Sequence, residues 1–280
     1  MPEVKFTKVH GLGNDFVLVD CLHGELNDAD LSSLAVAVCD RHFGVGADGL
    51  VRILPSDVAD YRMQIMNSDG SEAEMCGNAT RCFAKYLHDR GMVGERMSIE
   101  TLGGIKVVDI ASSDGRAVSM TVNMQQPRLD AADIPVKGYV GRVVSQPLQV
   151  GAAKYSITCV NMGNPHCVIF VEDVDAVDLE HLGPAVETHP AFPVKTNVEF
   201  AQVVRRDDVR VRVWERGAGV TLACGTGACA VLTAGVLNGI LDRKATVHLP
   251  GGDLLIEWRE DDDLYKTGPA KEVFTGTFKY

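Results

Sequence analysis

Ala223-Cys224-Gly225-Thr226-Gly227, leading into the helix-like run Ala228 to Leu237, is the stretch on which the fold turns. Met75-Cys76-Gly77-Asn78, leading into Ala79 to Leu87, repeats its logic 148 positions earlier. In both places a thiol stands at the mouth of a helix. The first backbone N–H groups there lack intrahelical partners and, with the macrodipole, favour negative charge. A cysteine so placed is expected to ionise more readily than a free thiol, and two of them form an acid/base pair.

Working outward with the same shift, strand-like Tyr61 to Asn67 falls on Val209 to Glu215, and Asn67 and Glu215 each precede their cysteine by nine residues. Near the start of each half, Gly13-Asn14 and Gly163-Asn164 match with nearly the same shift. An ordered set of matches at one spacing is the mark of an internal repeat. The expectation is two duplicated domains facing each other across a cleft.

The remaining pattern is strand-rich. Lys5 to His10 and Phe16 to Asp20 flank a Gly-Leu-Gly-Asn turn, and Leu31 to Cys39 reads as a helix. Met97 to Thr101, Ile105 to Ile110 and Ala117 to Val122 read as a meander with Gly103-Gly104 and Asp114-Gly115 turns. Tyr155 to Val160, Cys167 to Val171, Thr196 to Val204, Val209 to Trp214, Thr246 to Leu249 and Leu254 to Trp258 supply the second half. The fold class is α+β: two pseudo-symmetric, mainly antiparallel β domains, each with a central helix, and the active site in the cleft between them. Residues 1–124 form the first domain and 125–269 the second, with Asn123 to Arg128 as linker and the strand at 270–280 returning to the first domain.

The chain has 280 residues, is 46% hydrophobic and carries a formal net charge of −11. With no Lys/Arg cluster, nucleic acid and anionic membranes are not expected partners. Without an apolar stretch of ~18 residues or a signal-like start, a soluble cytoplasmic protein is expected. The acidic run Arg259 to Asp263 reads as a solvated turn. Eight cysteines without any Cys-x-x-Cys fit neither a secreted disulfide framework nor zinc, so no metal is expected. Cys21, Cys39, Cys82, Cys159, Cys167 and Cys229 read as small core residues.

Gly44-Val45-Gly46-Ala47-Asp48-Gly49 matches G-x-G-x-x-G, but a dinucleotide fingerprint needs a strand before it and a helix after it. Here the order is reversed, so it reads as a glycine-rich turn.

Taken in order, Gly11-Leu12-Gly13-Asn14-Asp15-Phe16, Asn67-Ser68-Asp69-Gly70-Ser71, Met75-Cys76-Gly77-Asn78, Asn161-Met162-Gly163-Asn164-Pro165-His166, Glu215-Arg216-Gly217-Ala218-Gly219 and Ala223-Cys224-Gly225-Thr226-Gly227 resemble diaminopimelate epimerase over nearly the whole chain. The resemblance implies cofactor-independent interconversion of LL- and meso-diaminopimelate, on the route to lysine and peptidoglycan, by a protein that is commonly a homodimer. It makes Cys76 and Cys224 the acid/base cysteines. Asn14, Asn67, Gly77, Asn78, Asn164, Asn197, Glu215, Arg216, Gly225 and Thr226 fall on substrate-binding positions, and His166 on a histidine near the reacting centre. Gly49, Ala79-Thr80 and Val220 depart from the common pattern, which bears on the shape of the pocket.

The chemistry needs those residue types. Inverting an amino-acid carbon takes a base on one face and an acid on the other, and a thiolate and a thiol supply both. An α-hydrogen beside a carboxylate is very weakly acidic. Backbone N–H groups of Gly77-Asn78 and Gly225-Thr226 can aim at that carboxylate, where negative charge grows. Arg216 can grip a distant carboxylate in a fork, and Glu215, with carbonyl oxygens of Asn67 or Asn197, can accept from an ammonium. Two rival readings stay open: a proline or hydroxyproline racemase using the same two-cysteine chemistry, and a thiol redox protein cycling a Cys76–Cys224 disulfide.

Overall fold

The computed structural model describes residues 3–26 and 30–279, and the chain divides into two compact units, Met1–Val122 with Thr267–Tyr280, and Asn123–Lys266. In the first unit, β1 (Glu3–Gly11) and β2 (Asn14–Asp20) make a hairpin. Its Gly13 sits at φ +88°, a conformation that costs glycine little. Helix α1 (Leu31–Cys39) returns the chain so that β3 (Gly49–Leu54) runs parallel to β2, and β4 (Tyr61–Asn67) turns back antiparallel to β3. The short β5 (Glu72–Ala73) folds onto β4, and α2 (Gly77–His88) follows. β6 (Arg96–Thr101) then pairs parallel with β4 and opens the antiparallel meander β7 (Gly104–Ser113) and β8 (Arg116–Asn123). The closing strand of the chain, Lys271–Lys279, lies antiparallel on β1.

The second unit repeats this wiring pairing for pairing. β9 (Gln146–Val150) lies antiparallel on β10 (Ala153–Asn161), as the closing strand does on β1. β10 and β11 (Pro165–Phe170) form the hairpin, α3 (Leu179–Glu187) returns the chain, and β12 (Asn197–Arg205) runs parallel to β11. β13 (Asp208–Glu215) is antiparallel to β12, and the short β14 (Gly219–Thr221) folds onto it. After α4 (Gly225–Leu237), β15 (Lys244–Leu249) pairs parallel with β13 and antiparallel with β16 (Gly252–Trp258), and along β17 (Leu264–Gly268) the chain passes from the second unit back to the first. The closing strand is β18.

Each unit is thus a mainly antiparallel sheet about a buried helix. Helix α2 packs against β1, β2, β4, β7 and β18, and from Asn78 to Leu87 only Lys85 escapes burial. Helix α4 packs against β10, β11, β12, β15 and β16, with Gly227 to Gly235 all buried. A helix covered on every side belongs to a core, where each large apolar side chain contributes roughly 1.5–3 kcal/mol. The peripheral helices α1 and α3 bury one face each: Leu34, Ala35 and Val38 against Val17, Val19 and Leu50, and Leu179 and Val186 against Ile169, Val198 and Phe200.

Fine detail repeats too. Both central helices stop in the same glycine motif: Met92 and Gly91 N–H bond Leu87 and His88 O, and Ile240 and Gly239 N–H bond Gly235 and Val236 O. The hairpin turns that follow each donate one backbone bond to the segment before a cysteine, Gly103 N–H to Glu74 O and Gly251 N–H to Leu222 O, at 2.9 and 2.8 Å. These bonds fix where each helix can start.

The sequence pattern does not reveal α3, β5, β9, β14 or β17. The Gly44 to Gly49 stretch is a turn between α1 and β3, crowded so tightly that a Cβ on Gly44 would strike the carbonyl oxygens of the preceding helix. Among the described residues no helix is long and apolar enough to cross a membrane.

Candidate active site

Cys76 and Cys224 occupy the same backbone station. Each is the extended residue immediately before its buried helix, at φ −137°, ψ 115° and φ −112°, ψ 108°. Their side chains have different surroundings.

In the first unit Cys76 is half-buried and its thiol donates to Asn14 Oδ1 at 3.7 Å. Asn78 Nδ2 donates to the same oxygen at 3.0 Å. The other end of the Asn14 amide donates to Asp48 Oδ2 at 2.6 Å. Since an ionised carboxylate only accepts, Asp48 dictates that Nδ2 faces it and that the oxygen faces Cys76. Arg41 in turn bridges Asp48 and Asp15, each at 2.8 Å. Burial would raise the Asp15 carboxyl, but Arg41 and Lys8 hold it below the usual carboxylate range. Asn67 donates to Ser71 Oγ at 3.0 Å, and the backbone bonds Asn67 N–H to Ser71 O and Gly70 N–H to Asn67 O close the loop between β4 and β5.

In the second unit Cys224 is buried and caps its own helix: Sγ accepts from Gly227 N–H at 3.4 Å and lies 3.5 Å from Thr226 Oγ1. Sulfur here does what a serine or aspartate oxygen does at this position. The expected easy ionisation fails at this site. Burial pushes the Cys224 thiol well up, and the Glu215 and Glu199 carboxyls push it further, against the weaker pull of Thr226 and Gly227. Desolvation and like charge outweigh a helix-terminus effect of about 2 kcal/mol at most. A Cβ on Gly225 would meet the end of the buried Lys266 side chain.

The β10–β11 hairpin carries Asn164 and His166. The His166 ring is fully buried between Asn164 Oδ1, 2.9 Å from Nε2, and Glu199 Oε1, 2.7 Å from Nδ1. The Glu215–Gly217 turn is held from two directions. Asn197 Oδ1 accepts from Arg216 N–H at 2.9 Å while its Nδ2 donates to Pro165 O at 2.8 Å. Glu187 accepts from Gly217 N–H at 3.2 Å and from the Trp214 indole at 2.7 Å. Glu215 accepts from Thr221 Oγ1 at 2.6 Å, and the exposed Arg216 donates to Val194 O.

In the first unit, then, Asn14, Cys76 and Asn78 form one hydrogen-bonded group, with Gly77 at the helix start between the last two and Asn67 in a loop of its own. The second unit links Asn164 to His166 and Asn197 to the Glu215–Arg216 turn, and sets Cys224, Gly225 and Thr226 at the helix start. Asn197 is engaged by backbone at both ends of its amide. Asp48, Glu187 and Glu199 were missed from sequence. A charge inside the otherwise apolar run Val198-Glu199-Phe200-Ala201 was the available signal for Glu199.

A sequence model described as diaminopimelate epimerase matches residues 6–129 and 158–273. The chain belongs to the diaminopimelate epimerase family. It is 58% identical over 276 residues to the diaminopimelate epimerase of Pelotomaculum thermopropionicum, covering 98% of this chain and 99% of that one. It is 52% identical to that of Acetivibrio thermocellus, with 98% of each covered. Members of this family are isomerases. Solved structures with this fold include a phenazine biosynthesis PhzF-family protein from Bacillus anthracis, at TM-score 0.72, 16% identity and full coverage of both chains. A hydroxyproline epimerase from Agrobacterium vitis matches at TM-score 0.70 and 14% identity, covering 98% of this chain and 92% of that one.

Proposed function

We propose that this diaminopimelate epimerase family member interconverts LL- and meso-diaminopimelate with two cysteines and no cofactor, Cys76 serving one face of the reacting α-carbon and Cys224 the other. The observation that carries this reading is the duplicated station: each repeat delivers a thiol to the N-terminus of its buried helix, with helical N–H groups beside it. Gly77-Asn78 and Gly225-Thr226 offer those groups to the carboxylate on the reacting carbon, where charge builds up.

Cys224 is set to be protonated before substrate arrives, and the two thiols have different surroundings. Cys76 donates to the Asn14 oxygen, and Cys224 sits among carboxyls in a desolvated place. A substrate ammonium pairing with Glu215 neutralises one of those carboxyls and eases proton loss from Cys224, so the base is made when the substrate binds. Arg216, Asn67, Asn164 and Asn197 hold the far amino-carboxylate end, and His166 supports Asn164. The same reading makes the protein a cytoplasmic homodimer supplying lysine and peptidoglycan synthesis.

The test is incubation with LL-diaminopimelate in D₂O without added cofactor. The expected product carries deuterium at one α-carbon, and Cys76→Ala and Cys224→Ala each abolish epimerisation. Turnover of proline with none of LL-diaminopimelate would overturn the substrate, and normal turnover by either variant the mechanism.

A further inference from the structure

We propose that Glu199 is a positioning residue: through His166 it turns the Asn164 side chain so that its NH₂ group, and not its oxygen, is offered to a carboxylate of the substrate. The inference rests on the reading above that Asn164 meets the substrate.

The geometry is a straight relay of three groups. Glu199 stands on β12, where Asn197 to Ala201 are buried without a break. Its carboxyl is fully buried and its Oε1 lies 2.7 Å from His166 Nδ1. Oε2 has no hydrogen-bond partner among the described residues, so His166 is what compensates this carboxyl. The opposite ring nitrogen, Nε2, lies 2.9 Å from Asn164 Oδ1.

Proton counting then decides the amide. A buried pair with a net negative charge, close to Cys224 and Glu215, is strongly disfavoured, so Glu199 and His166 together stay neutral. A neutral pair with the acid proton on Oε2 and Nδ1–H donating to Oε1 would leave that buried O–H without an acceptor, so two forms remain. Either the carboxylate faces a doubly protonated ring, or the carboxylic acid donates to Nδ1 of a ring protonated at Nε2. The shared proton moves between Oε1 and Nδ1, but Nε2 carries hydrogen in both. That hydrogen needs an acceptor, and Asn164 Oδ1 supplies it. The Nδ2 hydrogens are left facing away from His166, and among the described residues no group accepts them. Their chemistry suits an anionic oxygen.

Asp48 does the corresponding task in the first unit, but there the carboxylate touches Asn14 directly and turns the amide oxygen toward Cys76. A histidine inserted into the relay reverses which end of the asparagine is displayed.

The experiment compares Glu199→Leu and Glu199→Gln, alone and with Asn164→Ala. Without the carboxyl the proton of His166 is free to sit on Nδ1 and the amide to turn, so Glu199→Leu should raise KM for LL-diaminopimelate at least about tenfold, the worth of a hydrogen bond to a charged group, with kcat changed less. Glutamine can donate to Nδ1 and keep hydrogen on Nε2, so Glu199→Gln should rescue KM to within about threefold of the parent. In the Asn164→Ala background Glu199→Leu should add nothing further to KM. An unchanged KM in Glu199→Leu, or an equal rise with and without Asn164, overturns the proposal. Imidazole ¹⁵N spectra of the ligand-free protein supply an answer that needs neither activity nor a variant: His166 Nε2 should bear a proton, and a bare Nε2 overturns the relay. If the parent protein binds and turns over no diaminopimelate while Nε2 is protonated, the substrate reading has failed and the relay has not.

Discussion

Cys76 and Asn14 meet sulfur to oxygen at 3.7 Å, and Asp48 fixes that polarity by holding the amide nitrogen at 2.6 Å. Replacing Asp48 with Asn offers Asn14 a partner that can donate, so its amide can turn and present NH₂ to the thiol. The expected result is a fall in kcat/KM of roughly 10–100-fold, the range for losing a hydrogen bond to a charged group. Steady-state kinetics checks it, with far-UV circular dichroism expected to match the parent.

Cys224 predicts a signature in stability against pH. Its folded thiol is pushed well above the ordinary value by burial and by Glu215 and Glu199. The unfolded thiol loses its proton near ~8.5. Above that pH the folded state binds more protons than the unfolded one, so stability falls as pH rises toward the folded pKa. The contribution is fully present below the unfolded pKa. Urea unfolding at pH 8 and pH 10 should show the Cys224→Ala variant losing less stability than the parent, by on the order of 1 kcal/mol or more. Equal losses would mean that Cys224 titrates normally.

The same burial predicts an order of chemical modification. Cys76 is half-buried while Cys224 is 3% exposed. Iodoacetamide at neutral pH should label Cys76 first, and peptide mapping should find Cys224 labelled slowly. Glu215→Gln removes the larger of the two carboxyl influences on Cys224 and should speed its labelling at pH 8 to 9 relative to the parent.

What the sequence disclosed depended on whether a residue's neighbours lie close by in the chain. The cysteine helices were legible because Gly-Asn and Gly-Thr-Gly openings and long apolar runs are local signals. The repeat was legible because one shift aligned Cys76 with Cys224 and Asn67 with Glu215. Helix α3 was not, because Gly183 and Pro184 lie inside it, and an interior proline removes an intrahelical bond. Gly183 has its own reason to be there, since a Cβ would meet the Trp214 indole. Asp48 was hidden inside a misleading glycine motif, and its partner Asn14 is 34 residues away. Glu199 and His166 are joined only by the pairing of β11 with β12. The proposed reacting groups announce themselves locally, whereas the carboxyls that orient them depend on strand pairing.

Glu187 is the support of the Glu215–Arg216 turn from α3. Its carboxylate accepts from the Trp214 indole and from Gly217 N–H, contacts which, with Lys195, hold it below the usual carboxylate range against its burial. Glutamine keeps the shape but has one accepting oxygen, so one of the two donors loses its partner. Glu187→Gln should therefore raise KM several-fold with a smaller change in kcat, since it loosens the turn proposed to hold the far end of the substrate and leaves both cysteine helices intact. Unchanged KM would show that the turn holds without this support.

Gly227 tests how closely the second thiol is packed against its carboxyl. It is the N–H that Cys224 Sγ accepts from, and a Cβ built there would lie 2.7 Å from Glu199 Oε1 and 3.2 Å from Cys224 Sγ. Alanine is the better helix former, so in an open helix start Gly227→Ala would stabilise. Here the methyl must push a buried carboxyl away from His166 or move the sulfur, and overpacking of this kind costs about 1–3 kcal/mol. The variant should be less stable in urea and should lose most of its epimerase activity, while Gly91→Ala, beside which a Cβ meets nothing within 4 Å, should keep its activity. Gly91 lies at φ +69°, so that control will also lose some stability. The separation to look for is therefore in rate: destabilisation by both variants, but a collapse of kcat only where the methyl reaches the sulfur.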